Sequence, residues 1–75
     1  MILFNYIKQN KEEVNKLYKL GVISVKTINY FEMYQFYLDA LTLGSKQAAI
    51  AFARDNFDTT IARIYKAITL MESDI

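Results

Sequence analysis

The chain has 75 residues, a formal net charge of +1 and neither cysteine nor histidine. It therefore has room for one small domain and none for a disulfide framework, a thiol nucleophile, an imidazole base or a zinc site of thiolate and imidazole ligands. Hydrophobic residues make up 53 % of it and aromatics 15 %, as six Tyr and five Phe, which argues against disorder and provides the apolar area a dense mini-domain needs.

There is no proline, and the two glycines, Gly21 and Gly44, divide the chain into thirds. Between them apolar residues recur at three- and four-residue steps, as in Ile28, Phe31, Tyr34, Leu38 and Leu41 and again in Ile61, Ile64, Ile68 and Met71. This pattern predicts an all-α fold, a small three- or four-helix bundle in a single domain spanning residues 1–75. The longest apolar run, Ala48 to Ala53, is far short of the ~20 residues that cross a bilayer, and Met1 to Ile7 lacks a basic head and a cleavage site. The expectation is a soluble, cytoplasmic protein with no membrane partner.

Residues 1–20 read as an N-terminal helix or arm. Leu3, Ile7, Val14 and Leu17 fall on one face of a helix from about Ile2 to Leu20, whereas Asn10 with Glu13 three residues on resembles a capping box and predicts a short element followed by a helix from Lys11 to Leu20. Both readings stand at this level. Gly21 suits a left-handed helix end, with Lys16 and Lys19 in the last turn. Ser24 stands at an N-cap position, and residues 24–42 form the long aromatic helix. Lys26 is the only base of that helix and Glu32 and Asp39 oppose it, so Tyr30, Phe31, Tyr34, Phe36 and Tyr37 are expected to pack in the core, with one or two left over to meet a partner chain, and not to stack on unpaired bases.

Gly44 and Ser45 repeat the stop and start. A third helix from Lys46 to Asn56 places Ala49, Ile50, Ala53 and Phe57 inward; Asp58, Thr59 and Thr60 form a polar break; and a last helix runs from Ile61 to about Glu72 with Ile61, Ile64, Ile68 and Met71 inward. The tail Ser73 to Ile75 is expected to fray.

Two amphipathic helices joined by a short polar turn over residues 45–72 meet the requirement of a helix-turn-helix. The second half, TTIARIYKAI, resembles the recognition helices of resolvase-type, sigma-factor-type and LysR-type helix-turn-helix proteins. Thr60, Ile64, Tyr65, Lys66 and Ile68 match the cap, apolar, aromatic, basic and apolar places, and Ala53 and Phe57 match the small and large core residues of the preceding helix. The turn lacks the glycine that many members have. Upstream, Gly21 to Glu32 is similar to a MerR-type connecting segment, with Ile23 extra and Asn29 and Glu32 where that family has bases; a well-capped core helix accounts better for it. Gly21, Ile23, Ser24, Glu32 and Tyr34 also resemble the G-x-I-S turn and E-x-Y step of small phage and mobile-element DNA-binding proteins.

These resemblances imply a small sequence-specific DNA-binding protein, a transcription regulator or accessory factor of a phage or mobile element, with its last helix in the major groove. The face turned outward is Ala62, Arg63, Lys66 and Thr69, with Tyr65 at its edge. Arg63 is the candidate for a base contact through its planar fork; Lys66, Lys46 and the Thr60 hydroxyl are candidates for phosphate; Gln47 suits either role, and Thr59 completes the set at the turn. Residues 43–75 hold four bases and four acids, so one copy would bind weakly and a homodimer on double-stranded DNA is implied.

No cofactor, metal or small-molecule substrate is expected, and no enzymatic constellation emerges. Glu12 and Glu13 point about 100° apart on a helix, Asp55 and Asp58 flank the turn, and Ser24, Ser45 and Ser73 have no base to activate them. The alternative reading is a helical protein–protein interaction module that does not touch nucleic acid.

Overall fold

Three hydroxyl side chains start the three longest helices in the computed structural model, which describes residues 1–75. Ser24 Oγ accepts from the Thr27 N–H at 3.3 Å, Ser45 Oγ from Ala48 N–H at 3.2 Å and Thr60 Oγ1 from Arg63 N–H at 3.2 Å. Each occupies one of the backbone donors that a helix start leaves without a partner. The helices that follow are α3 (Val25–Leu41), α4 (Lys46–Asn56) and α5 (Ile61–Met71); they are preceded by two shorter ones, α1 (Leu3–Gln9) and α2 (Lys11–Lys19). The protein is all-helical, with five helices.

The N-terminal third is two helices and not one. The chain turns at Asn10, where φ is −122° and ψ is 38°. The expected capping box is not made: Asn10 offers no side-chain cap to α2, and its Nδ2 donates instead to the Tyr6 carbonyl at 2.8 Å, closing the end of α1. The same carbonyl also accepts the Asn10 backbone N–H at 3.1 Å, so backbone and side chain of Asn10 close α1 together.

Helices α2 and α4 end in the same way. Gly21, at φ +79°, sends its N–H to the Tyr18 carbonyl at 3.0 Å, and Val22 sends its own to Leu17 at 2.9 Å. Asp58, at φ +48°, bonds Asp55 at 3.3 Å while Thr59 bonds Arg54 at 3.1 Å. Both are Schellman closures, the second with an aspartate where glycine is usual. Gly44 does not share this role. It is outside the left-handed region, and α3 closes through right-handed Thr42, whose hydroxyl donates to the Asp39 carbonyl at 2.7 Å.

Helix α3 is the hub. It buries Tyr30, Phe31, Met33, Tyr34 and Tyr37, and α4 and α5 both pack against it. The rings interlock: Phe4 of α1 stacks on Phe31 with centroids 5.0 Å apart and meets Tyr34 edge-on at 4.8 Å, and Phe36 meets Phe57 edge-on at 5.8 Å. The aromatics of α3 are thus core, as their lack of neighbouring bases predicts. From α4 come Ala49, Ile50 and Ala53, and the two alanines, fully buried, let the helices approach closely.

The C-terminal tail does not fray. Leu3 N–H bonds the Ser73 carbonyl at 2.8 Å, Ile75 N–H bonds the Met1 carbonyl at 3.0 Å, and the Met1 amino nitrogen lies 2.9 Å from Asp74 Oδ1. Each end supplies backbone partners to the other, a two-residue antiparallel bridge that no periodicity in the sequence announces.

Candidate nucleic-acid interface

Helix α5 is set by its inner face. Ile64, Ala67 and Met71 are fully buried and Ile68 nearly so. Its last turn is tied to α3 by the Tyr34 hydroxyl, which donates to Glu72 Oε2 at 3.0 Å. Burial, together with that bond to the Glu72 carboxylate, its charge and the neighbouring Tyr37, pushes the Tyr34 hydroxyl up to about 12; the phenol stays protonated and keeps donating.

One expected core residue is elsewhere. Ile61 is 44 % exposed. At 100° per residue, the arc containing Ile64, Ala67, Ile68 and Met71 is centred about 70° away from Ile61. Ala67 is the cause: its small side chain lies fully buried on the far side of Ile64, so the helix is rotated toward it and its first residue swings outward.

The opposite face carries Ala62, Arg63, Lys66 and Thr69, all exposed, with Tyr65 exposed on the flank. Helix α5 has no acidic residue, and neither Arg63 nor Lys66 takes part in an ion pair. The four acids of residues 43–75 are mostly engaged elsewhere. Asp55 holds Arg54 Nε at 3.0 Å, Glu72 accepts from Tyr34, and Asp74 faces the Met1 amino group. Asp58, at the turn, stands exposed with neither an ion pair nor a side-chain hydrogen bond.

The remaining candidates gather at the two helix starts. Lys46 and Gln47 are the first two residues of α4 and both are exposed. Thr60 is exposed at the cap of α5, with its Oγ1 already accepting from Arg63 N–H. Thr59 is half-buried, and its backbone N–H is spent on Arg54. The turn between α4 and α5 is Phe57 to Thr60, one residue longer than the polar break marked in the sequence, because Phe57 closes α4 while its ring packs on Phe36.

No family model, curated protein or solved structure matches the chain. The chemistry of the face must therefore be judged on its own residues. No groove opens on it: the grooves of the molecule all lie toward the N-terminal end, between residues 3 and 35. No three carboxylates converge to hold a metal ion. An exposed helix face with two unpaired cations, two hydroxyls and a flanking phenol offers hydrogen-bond donors and positive charge to an anionic partner.

Sequence reasoning missed Ile61 as part of this surface. The rotation that exposes it is set by the burial of Ala67 against the neighbouring helices, which the periodicity of α5 does not show. Phe52, exposed on α4, was likewise not singled out.

Proposed function

We propose that this is a small sequence-specific DNA-binding protein, a regulator or accessory factor of the phage or mobile-element type, in which α4, its four-residue turn and α5 act as a helix-turn-helix. The observation that carries the reading is the outer face of α5: Arg63 and Lys66 exposed, unpaired and on a helix without a carboxylate. Helix α5 enters the major groove. Arg63, in its first turn, pairs with guanine O6 and N7, Lys66 and Lys46 meet phosphates, Gln47 reaches a base edge or a phosphate, and Ala62 and Ile61 offer apolar contact to a thymine methyl. The first backbone amides of α4, beside Lys46, are further donors for a phosphate. The Tyr34 bond keeps the Glu72 carboxylate, at the far end of α5, occupied.

With so few cations per copy, affinity comes from two copies on two half-sites, and the protein acts by occupancy. The test is an anisotropy titration against duplex libraries at several salt concentrations. Affinity should fall with a log–log slope of about −0.9 per phosphate contact. Arg63→Ala should cost about 1 to 3 kcal/mol and relax base preference at one position, whereas Lys66→Ala should weaken all sequences alike and reduce the salt slope by about 1. Absence of binding to any duplex at low salt overturns the proposal. It would leave the second reading, a protein-binding helical module, which the exposure of Phe52, Ile61 and Tyr65 favours.

A further inference from the structure

Helix α2 is amphipathic but has little to pack on. It buries Val14 alone, while Leu17 and Tyr18 stay exposed and Leu20, at its C-cap, is 77 % exposed. Beside it lies an apolar groove of about 380 Å³, walled by Tyr6 of α1, Val14 and Leu17 of α2, and Val22 and Ile23 of the loop into α3. Val22 is 69 % exposed. The Schellman closure at Gly21 brings Val22 back onto the Leu17 end of α2, so the exposed turn that carries Leu20 and Val22 forms a ridge along the edge of the groove.

We infer that this surface is the contact between two copies of the chain, related by a two-fold axis that sets the ridge of each copy into the groove of the other. The inference deepens the DNA-binding reading and rests on it for the choice of a second copy. Three features favour that occupant. A groove and a ridge of the same apolar character, side by side, are what an isologous interface needs, because each copy must supply both halves of the fit.

The charged border is also of mixed sign. Glu13, which lines the groove, pairs with Lys16 at 3.7 Å, so one charge of each sign stands at its edge. Copies meeting through such a border can exchange partners, whereas a border of one sign would call for an oppositely charged protein. Area is the third feature. Tyr6, Leu17, Leu20, Val22 and Val25 together expose roughly 500 Å², more than half of the ~800 Å² per partner that a stable interface buries. None of these residues belongs to α5, so both reading faces of the pair remain free.

The experiment is sedimentation equilibrium of the full chain without DNA, over micromolar to high-micromolar concentrations. The expected result is a reversible dimer. Leu17→Glu and Val22→Glu should each weaken it by about tenfold or more, since each places a carboxylate in a dehydrated apolar contact. Both side chains are exposed in one copy, so the far-UV circular dichroism of the variants should match that of the parent. Phe52→Glu, on α4, should leave the dimer unchanged. A monomer at every concentration, a dimer that survives both N-terminal substitutions, or one lost through Phe52→Glu overturns the inference. The two proposals separate cleanly. A dimer broken by Leu17→Glu in a chain that binds no duplex keeps this interface and removes the DNA reading; duplex binding by a chain that never dimerises in this way does the reverse.

Discussion

Ile61 and Ile64 are the same residue one turn apart, and the fold gives them opposite fates. Ile64 is fully buried and Ile61 is 44 % exposed. Truncating Ile64 to Ala removes three carbons from the core at about 0.8 kcal/mol each and leaves a cavity that α3 and α4 cannot wholly fill, for a cost of about 2 to 5 kcal/mol. A chain of this size has a total stability of about 4 to 11 kcal/mol, so the loss is a large share of it. Ile61→Ala gives up only about half of the transfer term and opens no cavity, a cost of about 1 kcal/mol or less. Urea unfolding followed by far-UV circular dichroism, at one fixed protein concentration, measures both as midpoint shifts at unchanged slope. Equal costs, or a larger cost at Ile61, would refute the rotation of α5 toward Ala67.

Two further outcomes follow from single contacts. Tyr34→Phe removes the bond to Glu72 and should destabilise by about 1 kcal/mol at neutral pH. It should also flatten the alkaline limb of stability. The hydroxyl titrates near 12 in the folded chain against 10 in its ordinary state, so its contribution is whole below pH 10. It is lost as pH rises from 10 to about 12, where the unfolded chain has already released the proton. Denaturant midpoints across that range check it, and a parent and variant with identical alkaline loss would contradict the burial of the phenol. At the other end of α5, Asp58 holds the left-handed conformation at φ +48°. Asp58→Gly should therefore raise stability by up to about 1 kcal/mol and Asp58→Ala should not; a destabilised glycine variant would contradict that closure.

Much of this structure was legible locally. The starts at Ser24, Ser45 and Thr60, the left-handed stop at Gly21, and the spans of α3, α4 and α5 to within a residue were all readable, because a cap or a helical period involves groups no more than about four positions apart. The same reach explains why the outward set on α5 could be named: Ile64, Ile68 and Met71 mark the inner face wherever its neighbours lie.

Tertiary packing decided the rest. Ile61 lost its place in the core because Ala67 allowed a closer approach on the other side, a choice made by the neighbouring helices and invisible in the periodicity of α5. Tyr34 and Glu72 are 38 residues apart, and the pairing of Met1 and Leu3 with Ser73 and Ile75 joins the two ends of the described chain. Sequence by itself determined what each helix is, since that is settled by hydrogen bonds within a turn or two; how the helices are turned, and what surface they leave uncovered, is settled only by side chains that meet across the fold.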